Sequence, residues 1–311
     1  MLGKILITGG LGNLGSWMTD YFYKQGYDVY VLTRKALYTL PNIKYTVLEA
    51  DISNITNLKT VIGQHEFDYC IHLESYSEYF HEEYHQKALM INTLGTRNLL
   101  DILKDQNLKK FIYFSTFHVY GATSGNVTEE SVLTPKNDYA STHLFAEYYV
   151  KQFGHNYGMN YTIFRLSSSY CPKNINISKW YLVLNDMARS AFVNQKITLK
   201  TNGQVSRDFI WMGDVCNLFT KIDTMKNQEI YNLSSGYNVK IIEIANMVQE
   251  IYEERYNKKI DLDINQNDKT IYHHVTVDNS KLLKDFNIKF NNVFKLEINN
   301  IFDLLEQYYD K

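Results

Sequence analysis

Short apolar runs alternate with longer amphipathic stretches through the first half of the chain. Lys4–Thr8 (KILIT), Asp28–Thr33 (DVYVLT) and residues 45–50, 67–73 and 110–115 have strand length and little polar interruption, and Tyr161–Leu166 continues the series. Between them, residues 13–25, 55–63 and 83–106 and Asp138–Tyr157 carry helical patterns, and Gly26 suits a C-terminal cap for the first. Strand and helix in alternation predict an α/β fold, a doubly wound parallel sheet with helices on both faces. Strands buried on both sides explain runs that are apolar throughout rather than every second residue. After Leu166 the rhythm breaks, and Asn, Lys and Tyr become frequent. This predicts two lobes, residues 1–166 and a smaller 167–311, expected to interleave.

Composition narrows the function. The 311 residues are 45% hydrophobic and 21% charged, which excludes a disordered chain or a small disulfide scaffold. The formal net charge of -2 gives no general basic field for nucleic acid or an anionic membrane, so an anionic ligand must be met by a local site. Cys70, Cys171 and Cys216 are too sparse for a disulfide framework or a thiolate metal site, and the histidines lack ligand spacing. No leader-like segment and no run of membrane length occur, so a cytoplasmic protein is expected, with no metal, nucleic-acid or membrane partner.

The first strand runs into Thr8-Gly9-Gly10-Leu11-Gly12-Asn13-Leu14-Gly15. Glycines at this spacing allow a tight strand-to-helix turn, let the backbone approach a pyrophosphate, and let the helix pack closely on the strand. The helix N-terminus then offers amide donors and a positive dipole end to the phosphates. Gly9, Gly12, Asn13, Leu14 and Gly15 are therefore candidate dinucleotide-binding residues, in a Rossmann-like domain.

Four further segments share one pattern. They are Asn92-Thr93-Leu94-Gly95-Thr96-Arg97-Asn98-Leu99-Leu100, Phe114-Ser115-Thr116-Phe117-His118-Val119-Tyr120-Gly121, Pro135-Lys136-Asn137-Asp138-Tyr139 and Arg207-Asp208-Phe209-Ile210-Trp211-Met212-Gly213-Asp214-Val215. In order and spacing they resemble the extended short-chain dehydrogenase/reductases, the nucleotide-sugar epimerases and dehydratases, over about residues 1–285. Among members the chain is most similar to capsular GDP-heptose C4 dehydrogenases. The resemblance implies NAD, a C-terminal sugar-nucleotide lobe and hydride transfer at a sugar carbon, commonly C4. It implies Tyr139 as the base and Thr116 as its hydroxyl partner. A phenol of pKa about 10 needs its anion stabilised to act near neutral pH.

The sequence departs from the pattern at several places. The family lysine four residues after the tyrosine is His143 here, on the same helix face; the resemblance implies that Tyr139 and this position also contact the cofactor, the lysine at its nicotinamide ribose, which an imidazole reaches only by a shorter arm. A histidine near pKa 6.5 is mostly neutral at pH 7 and cannot lower the phenol's pKa as an ammonium does. His143 could substitute by hydrogen bonding, the oxidised nicotinamide could supply the charge, or the chain could bind dinucleotide without turnover. Phe117-His118 stands where dehydratases carry Asp-Glu, so no elimination chemistry is expected; His118 is a candidate proton donor, or else a histidine behind the substrate contacts or on the surface. The second strand ends in Thr33-Arg34 rather than an acidic residue. That pair leans toward the 2′-phosphate of NADP, whereas the resemblance leans toward NAD. Asp51-Ile52 resembles an adenine-binding step, and His72-Leu73-Glu74-Ser75, at the end of the fourth strand, stands where the family has H-x-A-A, which makes Leu73 a further dinucleotide-binding candidate and Glu74 a departure from a small residue.

For the sugar nucleotide, Ser168 and Cys171 replace an Asn and a Gly of the family pattern. Arg207 is a candidate diphosphate ligand, with an ion pair to Asp208 or another carboxylate as the alternative, and Lys179 and Lys269 are further candidates. Asp214 reads as a helix cap. Leu144, Phe145, Tyr148 and Tyr149 cannot all face one sheet; the resemblance implies that this helix and the 83–106 helix pair across a homodimer or homotetramer interface, the alternative being two well-covered helices in a monomer. Three functions stay open: a nucleotide-sugar dehydrogenase, a 4-epimerase, and a non-catalytic dinucleotide-binding protein.

Overall fold

The computed structural model describes residues 2–36, 39–77, 84–171 and 182–309. The chain forms two compact units. The first comprises Met1–Gly121, Glu129–Leu166 and Leu218–Leu233, and the second Ala122–Thr128, Ser167–Asn217 and Ser234–Lys311. The chain thus leaves the first unit after Leu166 and returns to it for residues 218–233.

The first unit is built on β1 (Lys4–Thr8), β2 (Asp28–Thr33), β3 (Thr46–Glu49), β4 (Tyr69–His72), β5 (Lys110–Thr116), β7 (Tyr161–Leu166) and β11 (Glu229–Leu233). They pair in the order β11-β7-β5-β4-β1-β2-β3, and every pairing is parallel. The order reverses direction between β1 and β4, where a doubly wound sheet opens its binding crevice. All seven residues of β5 and all four of β4 are buried, as parallel strands covered on both faces require. The connecting helices are α1 (Asn13–Lys24), α2 (Ile55–Ile62), α3 (Tyr84–Ala88), α4 (Thr96–Leu103) and α5 (Asp138–Tyr157).

The expected long helix over 83–106 is interrupted by a π-helical turn at Leu89–Gly95. Such a turn often marks a functional segment, and here it carries the Asn92 motif. The Asn92 amide accepts from Tyr76 N at 2.7 Å and donates to Tyr76 O at 3.1 Å, fixing the loop after β4. Gly95 lets this helix press on the turn after β3, because a Cβ there would sit 2.6 Å from Ile52 Cγ2. Asn98 closes the same contact by donating to Ile52 O at 3.1 Å.

In the second unit, β8 (Ser168–Tyr170), β10 (Ser206–Trp211) and β12 (Asn238–Lys240) form one small sheet. α6 (Val183–Asn194), α8 (Ile241–Tyr256) and α10 (Phe294–Tyr309) pack as a helical layer with aromatic contacts such as Tyr256–Phe302 and Phe192–Tyr309. β9 (Lys196–Leu199) pairs with β13 (Asp261–Ile264), and β6 (Gly125–Val127) with β14 (Val275–Val277). Among the described residues no helix is long and apolar enough to cross a membrane.

Candidate active site

The glycine turn joins β1 to α1 at the switch point. Gly9 has φ +65°, a conformation that costs other residues about 1 kcal/mol or more. A Cβ on Gly15 would lie 2.0 Å from Gly9 O, so the first helical turn can rest on the loop only if residue 15 is glycine. Gly12 is the N-cap and supplies no side-chain acceptor to the first-turn amides, which include those of Leu14 and Gly15. A turn with glycine at 9, 10 and 12 at a helix N-terminus suits the pyrophosphate of a dinucleotide. The residues present therefore fit the cofactor that the sequence implies.

The floor of this crevice is a directed hydrogen-bond chain. Thr8 Oγ1 accepts from Leu73 N and Glu74 N, each at 3.1 Å, so its own proton goes to His72 Nδ1 at 2.6 Å. The imidazole proton is then on Nε2, facing Thr96 Oγ1 at 2.8 Å, and Thr96 donates onward to Asn92 O. Burial pushes His72 down to about 3, with His143 adding to it, so it is neutral at any working pH. Glu74 lies against the turn, its Oε2 3.2 Å from where a Gly9 Cβ would be.

At the outer strands, Thr33 ends β2 and turns its hydroxyl to Lys35 O at 3.3 Å. Arg34 is exposed. Asp51 Oδ1 accepts from Ser53 N at 2.8 Å and Ser53 Oγ at 2.6 Å, tying it into the turn after β3, and Ile52 is buried beneath Gly95.

α5 carries the second set. Asn137 caps it by accepting from Ala140 N at 2.9 Å, which fixes Tyr139 in the first turn. Tyr139, His143 and Glu147 follow at spacings of four and form one stripe. Beneath it lie Tyr113 and Ser115, alternate residues on one face of β5. Tyr113 Oη and His143 Nδ1 are 2.8 Å apart, and Ser75 Oγ is 3.0 Å from His143 Nε2. Burial holds the Tyr113 phenol protonated well above its usual range, so it donates to Nδ1 and leaves the imidazole proton facing Ser75. His143 is pushed down to about 3 by burial and, less, by His118. It is a neutral, clamped ring set edge-on to Tyr139, centroids 4.6 Å apart. Ser75, not His143, presents the outer hydrogen-bonding group.

One turn on, Glu147 accepts from Ser115 Oγ at 2.6 Å and forms a two-pronged bond to Arg165, Nε at 3.0 Å and Nη2 at 2.8 Å. Both charged side chains are fully buried, and Arg165 also donates to Tyr120 Oη at 3.0 Å. This pair cancels its own charge and locks α5, β5 and β7 in register. Thr116 ends β5, buried, and its Oγ1 accepts from His118 N at 3.3 Å. His118 is exposed, its ring tilted 34° against Phe117 and edge-on to Tyr139 at 6.2 Å.

The second unit holds the remaining candidates. Ser168 lies on β8 beside Phe209 of β10, and Arg207 is two residues upstream. The alternative of an Arg207–Asp208 ion pair fails. Asp208 is buried with its carboxylate committed to Ser167, Ser235 and Gly236, while Arg207 is exposed. Lys269 is exposed, and Lys179 falls outside the described residues. Asp214 is not a helix cap: it accepts from Asn291 N and Nδ2, both at 2.6 Å, and anchors the approach to α10. Cys171 adopts φ +80° and donates its thiol to Glu297 Oε2 at 2.6 Å. Among the described residues no group of three or more His, Cys, Asp or Glu could hold a metal ion.

The sequence reading missed Tyr113, Ser75, Glu147 and Arg165. The parity of Tyr113 and Ser115 under the 139-143-147 stripe was the signal that could have found two of them.

Residues 5–234 match the model of the NAD dependent epimerase/dehydratase family, and the chain belongs to that family. It is 27% identical over 279 residues to dTDP-D-glucose 4,6-dehydratase of Dictyostelium discoideum, covering 80% of this chain and 62% of that relative. It is 27% identical over 281 residues to UDP-glucuronate 4-epimerase of Thermodesulfobacterium geofontis, covering 83% and 82%. The crystal structure of Thermotoga maritima UDP-glucose 4-epimerase with UDP-glucose superposes with a TM-score of 0.83, at 20% identity, over 97% of this chain and 100% of that one. That last likeness establishes the fold.

Proposed function

We propose that the protein is an NAD-dependent oxidoreductase that removes hydride from C4 of a nucleotide-activated sugar. The observation that carries this reading is the glycine turn after β1, where the first turn of α1 can rest on Gly9 O only with glycine at 15, with family membership beside it. Both relatives named above act at sugar position 4 by their names.

In this reading Tyr139 takes the proton of the sugar hydroxyl and Thr116 donates to the same oxygen. The bound oxidised nicotinamide supplies a hydride acceptor that carries positive charge. No cation of the chain does that work from the α5 stripe, because His143 is neutral and Glu147 is balanced by Arg165. His143 instead holds Ser75, whose remaining proton is directed to a ribose hydroxyl. Gly9, Gly12, Asn13, Leu14 and Gly15 receive the pyrophosphate, and Leu73, Asp51, Ile52, Thr33 and Arg34 border the adenosine end. For the sugar nucleotide the sequence pattern offers Arg207 as the diphosphate ligand and Ser168, Lys179, Lys269 and His118 as further candidates.

Phe117 cannot move a proton, and no acidic pair follows Thr116. Elimination lacks its acid and base, so the reaction stops at the ketone or returns hydride to the opposite face. The first outcome is a dehydrogenase and the second a 4-epimerase. The sequence resemblance favours the dehydrogenase, with a GDP-linked heptose for capsule polysaccharide as substrate. Exposed Leu89, Met90, Phe145 and Tyr148 support a homodimer or homotetramer, which a sizing column measures; the cytoplasm is the proposed compartment. The activity test is absorbance at 340 nm on mixing the protein with a panel of sugar nucleotides. A rise with one of them supports the reading. Bound dinucleotide that no sugar nucleotide reduces makes the protein a binding module.

A further inference from the structure

β2 ends without the carboxylate that grips the ribose diol of NAD, and Arg34 and Lys35, both exposed, follow it. Taken alone, this end would welcome a 2′-phosphate. The neighbouring strand changes the balance. Thr33, the last residue of β2, is paired in register with Glu49, the last residue of β3. The Glu49 side chain reaches back across the strand ends, and its Oε1 accepts from Ala36 N at 2.9 Å. One carboxylate oxygen therefore fixes the loop that carries the two cations. Glu49 is itself exposed at the strand end beside Thr33. Thr33 does not compete for the place, because its hydroxyl is turned to Lys35 O. Asp51 does not either, because it is bound into the turn by Ser53.

We propose that Glu49 sets the choice between the two nicotinamide dinucleotides, its carboxylate accepting from the free ribose diol of NAD and repelling the 2′-phosphate of NADP. The acid that specifies NAD thus comes from β3 instead of β2. Arg34 and Lys35, both exposed, partly offset it, while the Ala36 amide holds the Glu49 carboxylate in place. Being exposed, these charges act through a screened field, so the discrimination weakens as salt rises.

This inference rests on the dinucleotide reading given above, and the test separates the two. Dissociation constants for NAD and NADP are measured by calorimetry on nucleotide-stripped protein, wild type and Glu49→Gln, at low and high salt. The glutamine keeps an acceptor for Ala36 N and removes only the charge. Expected are a wild-type preference for NAD of at least tenfold and a fall of that ratio by at least tenfold in Glu49→Gln, mostly through tighter NADP. Arg34→Ala should widen the preference. A ratio unchanged by Glu49→Gln, or a wild type that prefers NADP, overturns the assignment while leaving the dinucleotide site standing. Failure of both dinucleotides to bind overturns both.

Discussion

Two imidazoles are buried at the heart of the first unit, and their protonation should dominate its acid sensitivity. His72 and His143 are both pushed down to about 3 by burial, each with both ring nitrogens hydrogen-bonded to neutral groups. In the unfolded chain each returns to about 6.5. Below 6.5 the unfolded state takes up protons that the folded state refuses, so stability is full above 6.5 and drains as pH falls toward 3. Between pH 7 and pH 5 each imidazole costs about 2 kcal/mol, and the pair about 4. The folded value hardly enters, since at pH 5 a group titrating near 3 is still neutral. Carboxylates held low, such as Asp68, Glu253 and Glu306, lose their contribution only at lower pH. Buried Asp208 and Asp214, raised by burial, act in the opposite sense, but equally in wild type and variant. Urea unfolding followed by circular dichroism at pH 7 and pH 5 measures the difference. His143→Gln should lose about 2 kcal/mol less than wild type over that interval, whatever its stability at pH 7. An equal loss in both proteins would refute a neutral, buried His143, and with it the claim that Tyr139 lacks a cationic neighbour at that position.

Other perturbations probe the rest of the site. Gly15→Ala places a methyl group 2.0 Å from Gly9 O, so dinucleotide affinity should fall more than about 100-fold by calorimetry, whereas Gly26→Ala, with nothing within 4 Å of the added atom, should bind normally. Glu147→Gln strands the buried Arg165 guanidinium and should cost about 3–5 kcal/mol, seen as a melting temperature lower by about 10 °C. His143→Lys puts an ammonium one turn from Tyr139, so the acid limb of the oxidation pH profile should move down by about one unit; an unmoved limb would show that charge there is not what limits the phenol.

The strand bounds of β1, β2 and β7 and the full span of α5 were legible in the sequence. Parallel strands buried on both faces leave uninterrupted apolar runs, and Asn137 and Gly158 punctuate α5. The glycine turn was legible because its constraint is local, one helix turn against one loop. What escaped depends on partners distant in sequence. β11 (EIYNL) lies in the half where the rhythm fails, and only its pairing with β7 returns residues 218–233 to the first unit. His143 could be placed on the face of Tyr139 from spacing alone, but its burial depends on Tyr113 and Ser75, which lie 30 and 68 residues away. Asp214 looked like a cap because an acidic residue near a helix start often is one; its carboxylate answers instead to Asn291.

The central claim is that the Tyr139 phenol takes the proton as hydride leaves the sugar. It is tested most directly by a single turnover at 340 nm with the responding sugar nucleotide, comparing wild type and Tyr139→Phe at matched dinucleotide occupancy. The phenylalanine keeps the ring against His143 and removes only the oxygen. The account predicts unchanged dinucleotide binding and reduction slowed by at least about 100-fold. Reduction at an undiminished rate in Tyr139→Phe would contradict it.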